Sequence, residues 1–143
     1  MKRLFNTNLN LESTHLILLL VRITVAAFML THGYPKLQKL LAGGEIQFGD
    51  PIGVGVHTSL VLAVFAEFAC SILIFLGLAT RLATLPLIVT MAIAVFIVHA
   101  TDAFGNKELG LLYLLIYLVL LVVGAGKYSI DQLISRNSHR RRR

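Results

Sequence analysis

Glu67 is the lone carboxylate in "VHTSLVLAVFAEFACSILIFLGLATR", a run from Val56 to Arg81 that is otherwise almost wholly apolar. An acid in such a setting can take up or release a proton away from bulk water, which is the chemistry of a proton relay or a proton-coupled site. Groups of comparable chemistry recur near it in the pattern. His32 and Lys36 follow an earlier apolar run, His99 closes a later one, and Glu108 and Tyr113 open the last. Arg22 lies inside the first run, and Asp131 follows the last in "GAGKYSID".

The elements that must position these groups are set by composition. Of 143 residues, 57% are hydrophobic and 14% charged, against about 45–50% and about 25% in soluble domains. Mean hydropathy is +0.81, and long stretches carry no charge at all. A hydrocarbon core about 30 Å thick needs roughly 20 apolar residues to cross it. Four segments qualify, at about 15–33, 56–79, 82–100 and 109–124. None alternates apolar with polar as a barrel strand must. Helices satisfy their own backbone in lipid, so the expected fold is all-α: a polytopic four-helix membrane bundle in a single domain, with a basic tail over 128–143.

The first apolar run starts late and has no small-residue cleavage site after it, so it is read as a retained helix. "THGYPK" is expected to break or kink that helix at Gly33 and Pro35, with "KLQKLL" a short turn at the interface. Lys2, Arg3, Arg81, Lys127, Arg136 and Arg140–Arg143 collect on one side, and Lys36, Lys39 and Lys107 on the other. By the positive-inside rule both termini are expected in the cytoplasm. The arginine tail reads as a topology determinant held at anionic headgroups, and no aromatic or folded feature supports nucleic-acid binding. The single cysteine, Cys70, excludes an intrachain dithiol and reads as a small packing residue.

Helical rise places the polar groups by depth. Glu67 is about 14 residues from Arg81, so about 21 Å above the inner surface, and His32 and His99 fall at roughly 25 Å. Tyr113 enters this level from the fourth helix, with Lys36 and Glu108 above it. Ser59, Ala63, Ala66, Cys70, Ser71 and Ile74 form a stripe of mostly small residues around Glu67, while Leu62, Phe65, Leu73 and Leu76 point elsewhere, so Glu67 is expected to face the bundle interior. Arg22, about 10 Å deep, is expected to pair with Asp131 and staple the first helix to the end of the fourth.

Two readings of the outer cluster stand side by side: a hydrogen-bond network that fixes helix register, and a polar pocket poised for proton or ligand chemistry. A metal site from His32, Glu67 and His99 lacks local ligand spacing such as Glu-x-x-His, so no metal is expected.

The chain resembles the DoxX family of small four-helix bacterial membrane proteins. The resemblance runs from about Leu16 to Asp131, through "LLLVRITVAAFMLTHGYPKL", "AEFACSILIFLGLATRLA" and "GKYSID". Its landmarks are Arg22; His32, Gly33 and Lys36; Glu67 with Gly77, Thr80 and Arg81; and Gly124, Gly126, Ser129 and Asp131. The resemblance implies an inner-membrane protein with a quinone-linked or redox-complex role, as in thiosulfate:quinone oxidoreductase, with quinone as the cofactor. On that reading His32 or His99 holds a ring carbonyl, Glu67 exchanges the proton, and Lys36, Tyr113 and Glu108 line the ligand site. The implied partners are the bilayer, an oxidoreductase subunit and further copies of the chain. The sequence has no recognisable flavin or haem motif. A small proton-coupled transporter or channel, and a scaffold for a soluble oxidoreductase, are the alternatives.

Overall fold

The computed structural model describes residues 10–140 apart from Glu45, with side chains described through Asn137. Lys2, Arg3 and Arg141–Arg143 of the charge pattern lie outside the described residues. Among the described residues there is no strand. The helices are α1 (Leu11–Ala42), α2 (Val56–Leu76), α3 (Thr80–Val98), α4 (Phe104–Val123) and α5 (Ile130–Arg140). The first four are long and apolar enough to cross a membrane, so the expected all-α, four-span architecture is present.

Asn10 starts α1 by accepting from the N–H groups of Glu12 and Ser13 at 3.1 and 3.4 Å. The expected break at Gly33 and Pro35 does not occur. The helix runs through both to Ala42, so "KLQKLL" is its last turns rather than a separate interfacial piece. Membrane helices tolerate an internal proline because neighbouring groups re-satisfy the backbone around it. α4 starts earlier than hydropathy indicates, at Phe104, with Lys107 and Glu108 of good helix propensity extending it beyond the apolar run.

α1 packs on α2 and α3 on α4, with α2 also against α3 and only a thin contact between α1 and α4. The core they share holds Val25 and Met29 of α1, Cys70 and Ile74 of α2, Leu87 and Met91 of α3, and Tyr117 and Leu120 of α4. Outside this core, Phe28, Leu62, Phe65, Phe96, Leu115 and Val122 are exposed. Such a coat of bulky apolar side chains would be an association hazard in water and is the ordinary surface of a bundle in lipid.

The loop before α2 is more ordered than its glycines suggest. Asp50 accepts from the N–H groups of Val54 and Gly55 at 3.0 and 2.8 Å and from the Ser59 hydroxyl at 2.7 Å, capping α2 from outside the helix. The Ser59 hydroxyl does most to hold the Asp50 carboxyl below its ordinary value of 3.8. A carboxyl lowered on folding stabilises fully above its unfolded pKa, and that contribution is lost as pH falls through the lower folded value. Amide protection factors at Gly55 and in the first turn of α2 should therefore fall as wild type is acidified below about pH 4. Asp50→Ala should show the low protection already at neutral pH, with no further acid transition. Equal protection in the two proteins at neutral pH would remove the capping role.

Candidate functional site: a buried lysine–glutamate pair

Glu67 sits in a π turn, Phe65–Cys70, inserted into α2. A π turn adds a residue to the helical repeat and is frequent at functional sites. Its effect here is to turn two neighbouring pairs inward together. Ala66, Glu67, Cys70 and Ser71 are 1%, 3%, 2% and 0% exposed. The small stripe expected around Glu67 is buried along its whole length, from Ser59 to Ile74, and Leu62, Phe65 and Leu76 are exposed.

The partner of Glu67 is Lys36, whose ammonium donates to both carboxylate oxygens. The glutamate side chain is 4% exposed and the lysine side chain 30%, so the pair has one closed side and one open side. Gly33 makes the approach possible. A Cβ there would lie 2.7 Å from the backbone carbon and oxygen of Glu67 and 2.8 Å from the Phe68 nitrogen. Nothing larger than hydrogen fits, so α1 rests directly on the π turn and Lys36, one turn later, is delivered to the carboxylate. Phe48 covers the pair from the α1–α2 loop, its ring centroid 5.9 Å from the Lys36 nitrogen.

His32 and Tyr113 also meet, edge to face with centroids 6.1 Å apart, and Tyr113 lies parallel to Tyr117 at 6.1 Å. His32 is exposed on the side of the bundle, whereas Tyr113 and Tyr117 are buried. Both tyrosines are within Coulombic range of Glu67. The Tyr117 hydroxyl and the Ser71 hydroxyl, a turn from Glu67, are buried and find no hydrogen-bond partner among the described residues.

Two expected members lie elsewhere. His99 does not join Glu67. Its Nδ1 lies 2.8 Å from Asp102 Oδ2, and Asn106 donates to the same oxygen at 3.2 Å. The π turn Ala94–Val98 ends α3 just before His99, which turns the imidazole into the α3–α4 connection. There its hydrogen bond holds the Asp102 carboxyl below the usual carboxylate value. Glu108 is exposed on α4. Among the described residues no three His, Cys, Asp or Glu side chains come together closely enough to hold a metal ion.

At the opposite end of the bundle, Arg22 is 2% exposed but does not bind Asp131 as expected. Its Nη1 donates to the Ala125 carbonyl and its Nη2 to the Tyr128 carbonyl, both at 2.8 Å. Asp131 instead accepts from the N–H groups of Ala79 at 2.6 Å and Thr80 at 2.9 Å, and its own N–H donates to the Gly77 carbonyl at 2.9 Å. Arg22 thus ties α1 to the α4–α5 link and Asp131 ties the start of α5 to the α2–α3 turn, because free backbone groups in these turns compete for both charges. Gly77 has a φ of +69, and a Cβ there would overlap the Arg22 guanidinium and lie 2.7 Å from Ser129 Cβ. Ala79, also left-handed at φ 48, is held there by the Asp131 carboxylate.

The DoxX family profile matches residues 17–100, which include Arg22, the Lys36–Glu67 pair and the turn at Gly77. The chain belongs to the DoxX family. This DoxX protein is 36% identical over 122 residues to an uncharacterised protein of Haemophilus influenzae, covering 78% of this chain and 85% of that one. It is 31% identical over 117 residues to a Bacillus subtilis protein named putative oxidoreductase CatD, covering 81% and 85%. No solved structure matches it.

Removing either member of the Lys36–Glu67 pair should have unequal effects. Lys36→Met leaves a carboxylate buried without its cation and should cost about 3–5 kcal/mol. Glu67→Gln leaves a lysine that can extend to water, and should cost about 1–2 kcal/mol less. Denaturant titration in mild detergent measures both, and the reverse order would show that the closed side of the pair is not the glutamate. At the other end, Asp131→Ala frees two N–H groups at the start of α3 and should cost about 1–2 kcal/mol, with faster exchange at Ala79 and Thr80. Unchanged exchange there would remove the cap.

Proposed function

We propose that this DoxX protein is a redox-linked subunit of the bacterial inner membrane that handles protons for a quinone. The reading rests on one observation: a lysine–glutamate pair, closed on the glutamate side, one turn along α1 from an exposed His32 whose ring meets Tyr113. The oxidoreductase name carried by the Bacillus subtilis relative supports the same direction. Orientation follows the charge pattern, with the Arg22 end and both termini in the cytoplasm and the Glu67 level in the outer half.

The residues suit a quinone head group. His32 is exposed where a lipid-soluble ring can reach it, and its imidazole can donate to a ring carbonyl. Tyr113 backs it from the interior, edge to face, and the Tyr117 hydroxyl, without a hydrogen-bond partner among the described residues, lies deeper along the same helix. A quinone reduced to its quinol takes up two electrons and two protons. The Glu67 carboxylate, reached from the open side of the pair through Lys36, is the group placed to pass protons toward the ring one at a time, so two passages serve one quinone. With one cysteine the chain has no dithiol of its own, and the electrons come from an oxidoreductase partner subunit.

Purified protein in lipid nanodiscs, irradiated with a photoreactive quinone analogue, tests this. Labelling should map to peptides containing His32 or Tyr113 and be competed by unlabelled quinone. His32→Ala, a change on the bundle surface, should weaken it about fivefold, the worth of one hydrogen bond of roughly 1 kcal/mol. Labelling spread over all four helices, or insensitive to competition, would sink the quinone site. A pH-gradient-driven flux abolished by Glu67→Gln would put a proton-coupled carrier in its place.

A further inference from the structure

At the Arg22 end, where α3 begins and α4 ends, the surface is cut by an open groove of about 690 Å³. Three basic residues line it: His15 of α1, Arg81 of α3 and Lys127 of the α4–α5 link. Arg81 is exposed and uses Nη2 on the Val122 carbonyl at 3.0 Å, which leaves its remaining donors available to the groove. Lys127 Nζ sits 2.6 Å from Glu12, with side chains 46% and 65% exposed. An exposed pair of this kind is worth only about 0–1 kcal/mol, so a stronger anion can displace it. The Lys127 N–H reaches His15 Nδ1 at 3.4 Å, so Nε2 is the ring's remaining donor. The one carboxylate on the wall, Asp131, has both oxygens engaged by the Ala79 and Thr80 N–H groups.

The rim is of opposite character. Leu82 and Val123 line the groove and are 69% and 49% exposed, and Val122 beside them is 75% exposed. These residues belong to the ends of two membrane-crossing helices, so the groove lies where hydrocarbon gives way to headgroups. α5 leads away from it with Leu133 and Ile134 exposed and Arg136 close by in sequence, the composition of a helix lying in the interface. A cationic floor, an apolar rim and interfacial depth match a phosphate ester that carries hydrocarbon.

We propose that this groove binds the phosphate of an anionic phospholipid, with Arg81 and Lys127 on the phosphate oxygens and the acyl chains over Leu82 and Val122. Arg81 supplies a planar fork and Lys127 a point charge, the usual combination for phosphate oxygens. The site depends on the membrane architecture and not on the quinone reading, so either can fail without the other. Binding of a headgroup there would tie α1, α3 and the α4–α5 link together at the membrane surface.

Native mass spectrometry of the full chain in non-ionic detergent tests the site with three probes: phosphatidylglycerol, diacylglycerol and inorganic phosphate. A retained phosphatidylglycerol adduct is expected at lipid levels where diacylglycerol leaves none. Arg81→Gln and Lys127→Gln, both at exposed positions, should each weaken it about fivefold, with unchanged helicity by circular dichroism. Displacement of the lipid by millimolar inorganic phosphate would support the same phosphate chemistry and assign it to a soluble phosphate ester. Diacylglycerol bound as tightly as phosphatidylglycerol, or lipid binding unaltered in both variants, would overturn the proposal.

Discussion

Hydrocarbon offers no hydrogen bonds, so a charge placed among lipid-facing helices has to find its counterpart within the protein, and Glu67 finds it in Lys36. Everything around that pair follows from bringing the two together. The π turn rotates Glu67 inward along with its neighbours. Gly33 lets α1 lie on the π turn at a separation no side chain would permit. Phe48 closes the loop side, and Asp50 orders the chain between Phe48 and α2. If the pair were absent, the π turn would bury a bare carboxylate and the close contact at Gly33 would serve no purpose.

α1 contributes a cation to each polar layer of the bundle. Arg22 and Lys36 are about 14 residues apart, roughly 21 Å along the axis. α2 answers both, with Glu67 at one level and the Gly77 turn at the other. Two fixed points on one pair of helices set their rotation and their translation together. The apolar middle, from Val25 and Met29 across to Leu87 and Tyr117, has no such addresses and is free to pack by shape alone. The contact between α1 and α4 is thin, and that is the side on which His32 and Tyr113 meet.

Apolar length made the four spans legible in the sequence, because lipid leaves a chain few options. The burial of Glu67 was legible too, through small residues recurring near helical spacing. The π turn itself left no trace in that spacing, because a regular helix also buries adjacent residues, as α1 does at Val25 and Ala26. Depth counting grouped Lys36, Tyr113 and His32 with Glu67, but depth carries no azimuth. It could not tell that the π turn before His99 would swing that imidazole onto Asp102. Pro35 and Gly33 read as a helix end because local propensity takes no account of a neighbouring helix, while Gly33 in fact marks closest approach. Arg22 and Asp131 were placed in the right region and given the wrong partners, because side-chain complementarity is visible in a sequence and unsatisfied carbonyls are not. Asp50 and Phe48 left no signal beyond their presence in a glycine-rich loop.

The choice of carbonyls by Arg22 shapes how this end of the molecule can evolve. A guanidinium bound to the main chain of Ala125 and Tyr128 reads the path of the backbone and is indifferent to what that backbone displays. The exposed Tyr128 side chain is therefore open to drift, whereas Ala125 is kept small by its own burial, and Arg22 and Gly77 supply the fork and the room for it. Variation and invariance should alternate within a few residues here, set by which atoms of each residue the arginine touches.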